Sequence, residues 1–193
     1  MRSLWILAAS CLIALSAATL PASARDTAAV TPVAGSKVLD TLFAKLKQAP
    51  DEAHAGRIAG QIWQHWFLHP NGAVQHLMHR AQAARRAGLL KEAMAELDKI
   101  VEFAPDYVEG WNQRATVLFM LGRDTESVRD IQQVLRIEPR HFGALAGLGL
   151  IHMRAENWKS AIASFERALE VHPFLGERAL IPALKEKLKG TEL

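Results

Sequence analysis

The sequence predicts an all-α fold: a right-handed α-solenoid of stacked helix–turn–helix pairs, closed by a C-terminal capping helix. Two observations carry that expectation. Pro105, Pro139 and Pro173 stand 34 residues apart, the length of one helix–turn–helix solenoid repeat. The columns between them keep the same step: Leu77, Trp111 and Leu145; Ala81, Ala115 and Gly149; Ala93, Ser127 and Ala161; Leu97, Ile131 and Phe165; Ile100, Val134 and Ala168. Large apolar residues recur where helices face each other, and small ones recur where backbones approach closely.

These columns resemble the tetratricopeptide repeat family. The third copy, Phe142 to Pro173, matches best, with Leu145, Leu148, Gly149, Ala161, Phe165, Ala168 and Pro173 in place. The second carries Trp111, Ala115, Gly122, Ile131 and Pro139, with Ser127 for the usual alanine. The first, from Val74 to Pro105, has Leu77, Ala81, Gly88, Ala93 and Leu97. Some positions depart from the pattern. The usually aromatic column reads Ala84, Leu118 and His152, and Arg80 and Arg114 occupy a column often filled by leucine. The resemblance covers residues 72 to 173, dividing into repeats at 74–107, 108–141 and 142–175. It implies a helical protein-interaction scaffold with no cofactor and no catalytic role.

The elements on either side follow from local pattern. Residues 1–24 read as a signal peptide: Arg2 gives a positive start and Leu4 to Leu20 is uncharged and apolar. Pro21 breaks the run, and Ala22-Ser23-Ala24 offers a small-x-small site for cleavage after Ala24. The alternative is an inner-membrane anchor through residues 4–20, since 17 residues is at the lower limit for a span. Cys11, the single cysteine, reads as filler in that segment. Residues 25–35 form a linker without helical period, expected to be disordered. In residues 36–70, Val38, Leu39, Leu42, Phe43 and Leu46 share one helical face, and Pro50 ends that helix. Asp51 is placed to cap the next helix, which carries Ile58, Ile62, Trp63, Trp66 and Phe67. This pair reads as a degenerate leading repeat heading the stack. Residues 176–190 read as the capping helix, wet through Lys185, Glu186, Lys187 and Lys189 and closed by Gly190, with Pro182 restricting where it starts.

Composition narrows the function. Lys+Arg number 23 against 20 Asp+Glu, for a formal net charge of +3. That is a mixed surface without the concentrated basic stripe of a nucleic-acid binder. An exported chain with no cysteine after cleavage must be held by its apolar core. No glycine-rich phosphate loop, G-x-S-x-G elbow or H-E-x-x-H occurs.

The first helix of each pair lines a concave groove, so candidate partner-binding residues lie on its inward positions. These are Met78, Gln82, Arg85 and Arg86, then Asn112, Thr116, Phe119 and Met120, then Arg154, expected to dock a peptide or helix from a cell-envelope protein. One subfamily of such repeats grips a terminal carboxylate with lysine, asparagine and arginine. Here the matching positions hold Met78, Gln82, Gln113, Gly143 and Gly147, so that clamp is absent. Self-association through a Trp63/Trp66 face is a second expectation. From another class comes a metal-binding or buffering role for His65, His69, His76 and His79, whose i, i+3 and i, i+4 spacings put each pair on one helical face. Trp111 is expected to fill the cleft between paired helices, and if it is buried Trp111→Ala would cost about 3–5 kcal/mol.

Overall fold

The computed structural model describes residues 37–191. The expected signal segment, Cys11, the cleavage point after Ala24 and the linker 25–35 lie outside the described residues. Among the described residues there are nine α-helices, one 3₁₀ turn and no strand. α1 (Lys37–Lys47) and α2 (Glu52–Phe67) form a leading hairpin. Three repeat pairs follow: α3 (Gly72–Arg86) with α4 (Leu90–Phe103), α5 (Val108–Met120) with α6 (Asp124–Ile137), and α7 (Phe142–Arg154) with α8 (Trp158–Val171). A 3₁₀ turn, Gly176–Leu180, leads into α9 (Ile181–Thr191). No described helix is long and apolar enough to cross a membrane.

The 34-residue grid reappears in the backbone. Each repeat pair turns at the same column: Gly88 at φ +75°, Gly122 at φ +73° and Glu156 at φ 55°. The left-handed region is free for glycine and disfavoured for a side chain, so the third repeat carries local strain that the first two avoid. The small/large code holds as well. A Cβ on Gly149 would sit 2.5 Å from the Phe165 ring, so only glycine lets α7 and α8 close on that ring.

The two arginines that depart from the repeat pattern form ion pairs. Arg80 donates to Glu96 at 2.7 Å, and Arg114 grips Asp130 at 2.7 and 2.8 Å. Both pairs join the first helix of a repeat to the second, across the same two columns. In the third repeat those columns hold Leu148 and Ser164, which cannot form an ion pair, and the Ser164 hydroxyl donates to the Ser160 carbonyl instead.

Caps and stops follow sequence chemistry. Asp51 accepts from the His54 backbone N–H at 2.8 Å. This bond holds the carboxyl below its ordinary range. Asn71 caps α3 through Ala73. Pro182 is the second residue of α9, where its missing N–H deprives no helical acceptor. Gly190 lies inside α9 and does not close it. Leu184 of α9 is buried with Ala161, Ile162 and Phe165 of α8, so α9 covers the last repeat.

The leading hairpin departs from expectation. A degenerate repeat would head the stack by packing end-on against α3 and α4. Instead Leu42, Phe43, Leu46, Ala55, Ala59, Ile62 and Trp66 share a core with Phe142 of α7, and Val108, Val171, Phe174 and Leu175 close around it. α1 lies against α8, and α2 against α5. Trp111 packs partly buried against the Ala115, Ile131 and Val134 core shared by α5 and α6; its Nε1 donates to the Pro105 carbonyl at 2.9 Å, and Arg114 lies over its ring.

Candidate functional site

The inner side of the repeats is built around α2. One column of the grid, Tyr107, His141 and Leu175, supplies the residue before each successive helix, and all three touch α2 or the α1–α2 core. The Tyr107 hydroxyl donates to the Phe67 carbonyl at 2.7 Å. Burial, with the Glu109 carboxylate nearby, pushes that phenol far above its usual range, so it stays a donor. His141 stacks on Trp66 with ring centres 3.9 Å apart and an interplanar angle of 13°. At the other end Glu52 faces Arg178 at 3.8 Å. α2 therefore runs along the repeats, from the 3₁₀ turn to the start of α5.

A buried polar network fixes this seat. Glu109 is 0% exposed. Its Oε1 accepts from Asn112 at 3.0 Å and Gln113 at 2.7 Å, and its Oε2 faces His141 Nε2 at 3.3 Å. The His141 Nδ1 accepts from the Ala144 N–H at 3.0 Å, capping α7. That bond leaves the ring proton on Nε2, pointed at the carboxylate. A buried carboxylate without such donors would be strongly destabilising.

Trp63 shows how closely α2 approaches. A Cβ on Gly143 would lie 2.6 Å from Trp63 Cη2, so the indole occupies a step that only glycine leaves open. Beside it lies a cavity of about 330 Å³, within the size range of small binding sites. Asn112, Thr116 and Phe119 of α5, Gly147 and Leu150 of α7, and His172 and Glu177 after α8 line it.

Of the expected groove residues, Asn112, Thr116 and Phe119 meet at this cavity. Asn112 is nearly buried with its amide committed to Glu109, and the Thr116 hydroxyl donates to the Asn112 carbonyl at 2.9 Å. Met78 does not face the groove. It is 0% exposed in the core between α3 and α4, because its column points inward in the first repeat. Gln82 does not line the cavity; it lies in a separate depression with Gln64, Phe67, Gln75 and His79. Arg85 is partly buried with an unpartnered Nε, while Arg86 and Met120 are exposed, and none of these three lines the cavity. Arg154 is not a free rim cation: it pairs with Asp124, donates to the Phe119 carbonyl at 3.1 Å and lies 3.7 Å over the Phe119 ring.

The Trp63/Trp66 face is turned inward against His141, Phe142 and Gly143, so it offers no surface to a second copy. The histidines do not converge. His69 accepts from the Asn71 N–H and lies against Tyr107, His79 contacts Gln75, and His65 and His76 are exposed. Among the described residues no three His, Cys, Asp or Glu side chains could hold a metal ion together.

Sequence reasoning missed His141 and His172, and it took Gly147 only as a position where a carboxylate clamp is lacking. The signal available was Gly143 and Gly147, four apart on one face of a helix, where each glycine costs about 1 kcal/mol relative to alanine.

The similarities agree with this architecture. Residues 109–175 match the family model described as "Tetratricopeptide repeat". A TPR repeat-containing protein of Rhizobium etli is 37% identical over 155 residues, spanning 79% of this chain and 75% of that protein. Two solved structures share the fold. The TPR2B domain of yeast Sti1 in its pHsp70 complex has TM-score 0.55 and 16% identity, covering 63% of this chain and 99% of that one. A tetratricopeptide repeat protein from Parabacteroides merdae has TM-score 0.54 and 20% identity, covering 80% and 60%. With the 34-residue grid visible in turns, core and ion pairs, this chain belongs to the tetratricopeptide repeat family.

Proposed function

We propose that the chain is an exported, non-catalytic scaffold of the bacterial envelope whose inner face docks a segment of a protein partner. The observation that carries this reading is the cavity beside α2, where Asn112, Thr116, Phe119 and Leu150 face space that α2 leaves unfilled. Stacked helix pairs bind on that concave side. The Sti1 domain was solved in complex with pHsp70, which supports a protein partner for an architecture of this kind. The partner chemistry differs here, because Met78, Gln82, Gln113, Gly143 and Gly147 supply no cationic grip for a terminal carboxylate. Export rests on residues 1–24. The non-catalytic reading rests on Glu109 and His141, an acid–histidine pair that is fully buried and whose hydrogen bonds are used in holding the seat.

The expected affinity is micromolar, about 8 kcal/mol. Selection of a random peptide library against protein purified from the periplasmic fraction tests the docking. Enriched peptides should shift the amide resonances of Asn112, Thr116 and Gly147. No enrichment, or shifts confined to another face, refutes the site. The intact mass of the same protein tests export: it should begin at Arg25, and a full-length chain in the membrane fraction would establish the anchor instead.

A further inference from the structure

α7 carries two glycine steps one turn apart on its inner side. The first, Gly143, is filled by the Trp63 ring. The second, Gly147, is open: a Cβ there would meet only Ile131 Cδ1, at an ordinary 3.7 Å, and the position lines the cavity. The protein thus displays, in its own tryptophan, the kind of group that seats on this helix, and leaves the next seat vacant.

Two further features bear on what sits there. His172 lines the cavity, is 7% exposed, and its Nδ1 is buried without a hydrogen-bond partner. Desolvation lowers its pKa, with the Glu177 carboxylate nearby acting in the opposite direction, so the ring forms a largely buried part of the wall. The wall is also one-sided in charge. Glu177 is the only charged side chain lining the cavity, and it has no ion-pair partner among the described residues. The buried Glu109 lies behind Asn112. Nearby cations are engaged elsewhere, Arg154 with Asp124 and Arg178 with Glu52.

We propose that the Gly147 cavity receives one bulky aromatic side chain from a partner segment that carries a basic residue beside it, the base pairing with Glu177. This rests on the docking reading above and names its chemistry. The aromatic ring packs over Gly147 against Leu150 and Phe119, as Trp63 packs over Gly143. The arrangement is opposite in sign to a carboxylate clamp, and it selects against acidic segments by leaving their charge facing Glu177.

The experiment titrates three blocked tetrapeptides, Gly-Lys-Trp-Gly, Gly-Glu-Trp-Gly and Gly-Lys-Ser-Gly, into the protein while amide resonances are followed. The lysine–tryptophan peptide should give saturable shifts at Gly147 and Leu150. The glutamate–tryptophan peptide should bind about tenfold more weakly, and the lysine–serine peptide should leave those resonances unmoved. Gly147→Leu should abolish binding. Gly147→Ala fills the step with a single methyl, should melt no lower than the wild type, and should weaken binding severalfold. Glu177→Gln should erase the difference between the two tryptophan peptides.

Absence of shifts with the lysine–tryptophan peptide, equal binding of all three, or undiminished binding to Gly147→Ala overturns the proposal. Library peptides that dock in the groove without aromatic and basic residues would overturn it alone, leaving the docking reading in place. A library that yields nothing overturns both.

Discussion

Replacing Trp66 by alanine tests the placement of α2 more directly than any other change. The ring is 3% exposed, stacks on His141 at 3.9 Å, and touches Phe43 and Phe142. Truncating a buried tryptophan costs about 3–5 kcal/mol. One term runs the other way: Trp66 Nε1 is buried without an acceptor, a liability of about 1–3 kcal/mol that alanine removes. From the middle of each range the net expectation is a loss of about 2 kcal/mol. For a chain of this size about 1 kcal/mol moves Tm by roughly 2–4 °C, so the melt should fall by about 4–8 °C. Urea unfolding followed by far-ultraviolet circular dichroism gives the free energy by linear extrapolation. Trp66→Phe keeps an aromatic ring and discards the unpaired N–H, so it should lie within about 1 kcal/mol of the wild type. A loss below about 1 kcal/mol for Trp66→Ala would mean that this ring is not packed on the start of α7, and the seat of α2 would have to be abandoned.

Trp111→Ala should cost less than the full-burial figure, about 2–3 kcal/mol in the same urea assay, because part of that side chain stays in water. Glu156→Gly should raise stability by up to about 1 kcal/mol, since glycine removes the left-handed strain at φ 55°; a lowered melting temperature would contradict this. Arg114→Leu strands the Asp130 carboxylate and should cost about 2–3 kcal/mol. The double change Arg114→Leu with Asp130→Ser copies the Leu148/Ser164 pair of the third repeat and should recover most of that loss. The His172 ring has its folded pKa held below 6.5 by desolvation. Its stabilising contribution is therefore complete above pH 6.5 and is lost as pH falls through the folded value, because the unfolded chain takes up the proton first. Urea midpoints between pH 7.5 and 5 should decline, and His172→Gln should flatten that part of the decline.

Much of the fold was legible because it is written locally and repeatedly. The 34-residue columns specify both packing surfaces of each pair, and Gly88 and Gly122 mark turns that need a left-handed residue. Asp51 and Pro182 announce helix starts through caps and missing donors. Glu156 gave no such sign, because a glutamate in a left-handed turn is tolerated only when its neighbours force it. Arg80 and Arg114 read as departures until their partners, sixteen residues on in the sequence, came within 2.7 Å.

The candidate site was legible only in part. Asn112, Thr116 and Phe119 lie on the inward columns, and a repeat grid is enough to place them. Met78 sits in the same column as Asn112 but is packed into the core of the first repeat, where Leu97 and Ile100 close over it. A column shared across repeats does not fix which side its first member shows, since that depends on what the neighbouring helix offers.

The stack of helix pairs, two of its three repeat turns and its capping helix could be read from the residues alone, because repeated nearest-neighbour packing is encoded within each repeat. The tertiary structure alone decided where the leading hairpin goes. An apolar stripe such as Ile62, Trp63 and Trp66 would be buried equally well at the end of the stack or along its inner face. The choice falls to shape and polar complementarity between distant residues: Trp63 in the Gly143 step, Trp66 on His141, and the Phe67 carbonyl on Tyr107. That choice fills part of the groove and leaves the Gly147 cavity open.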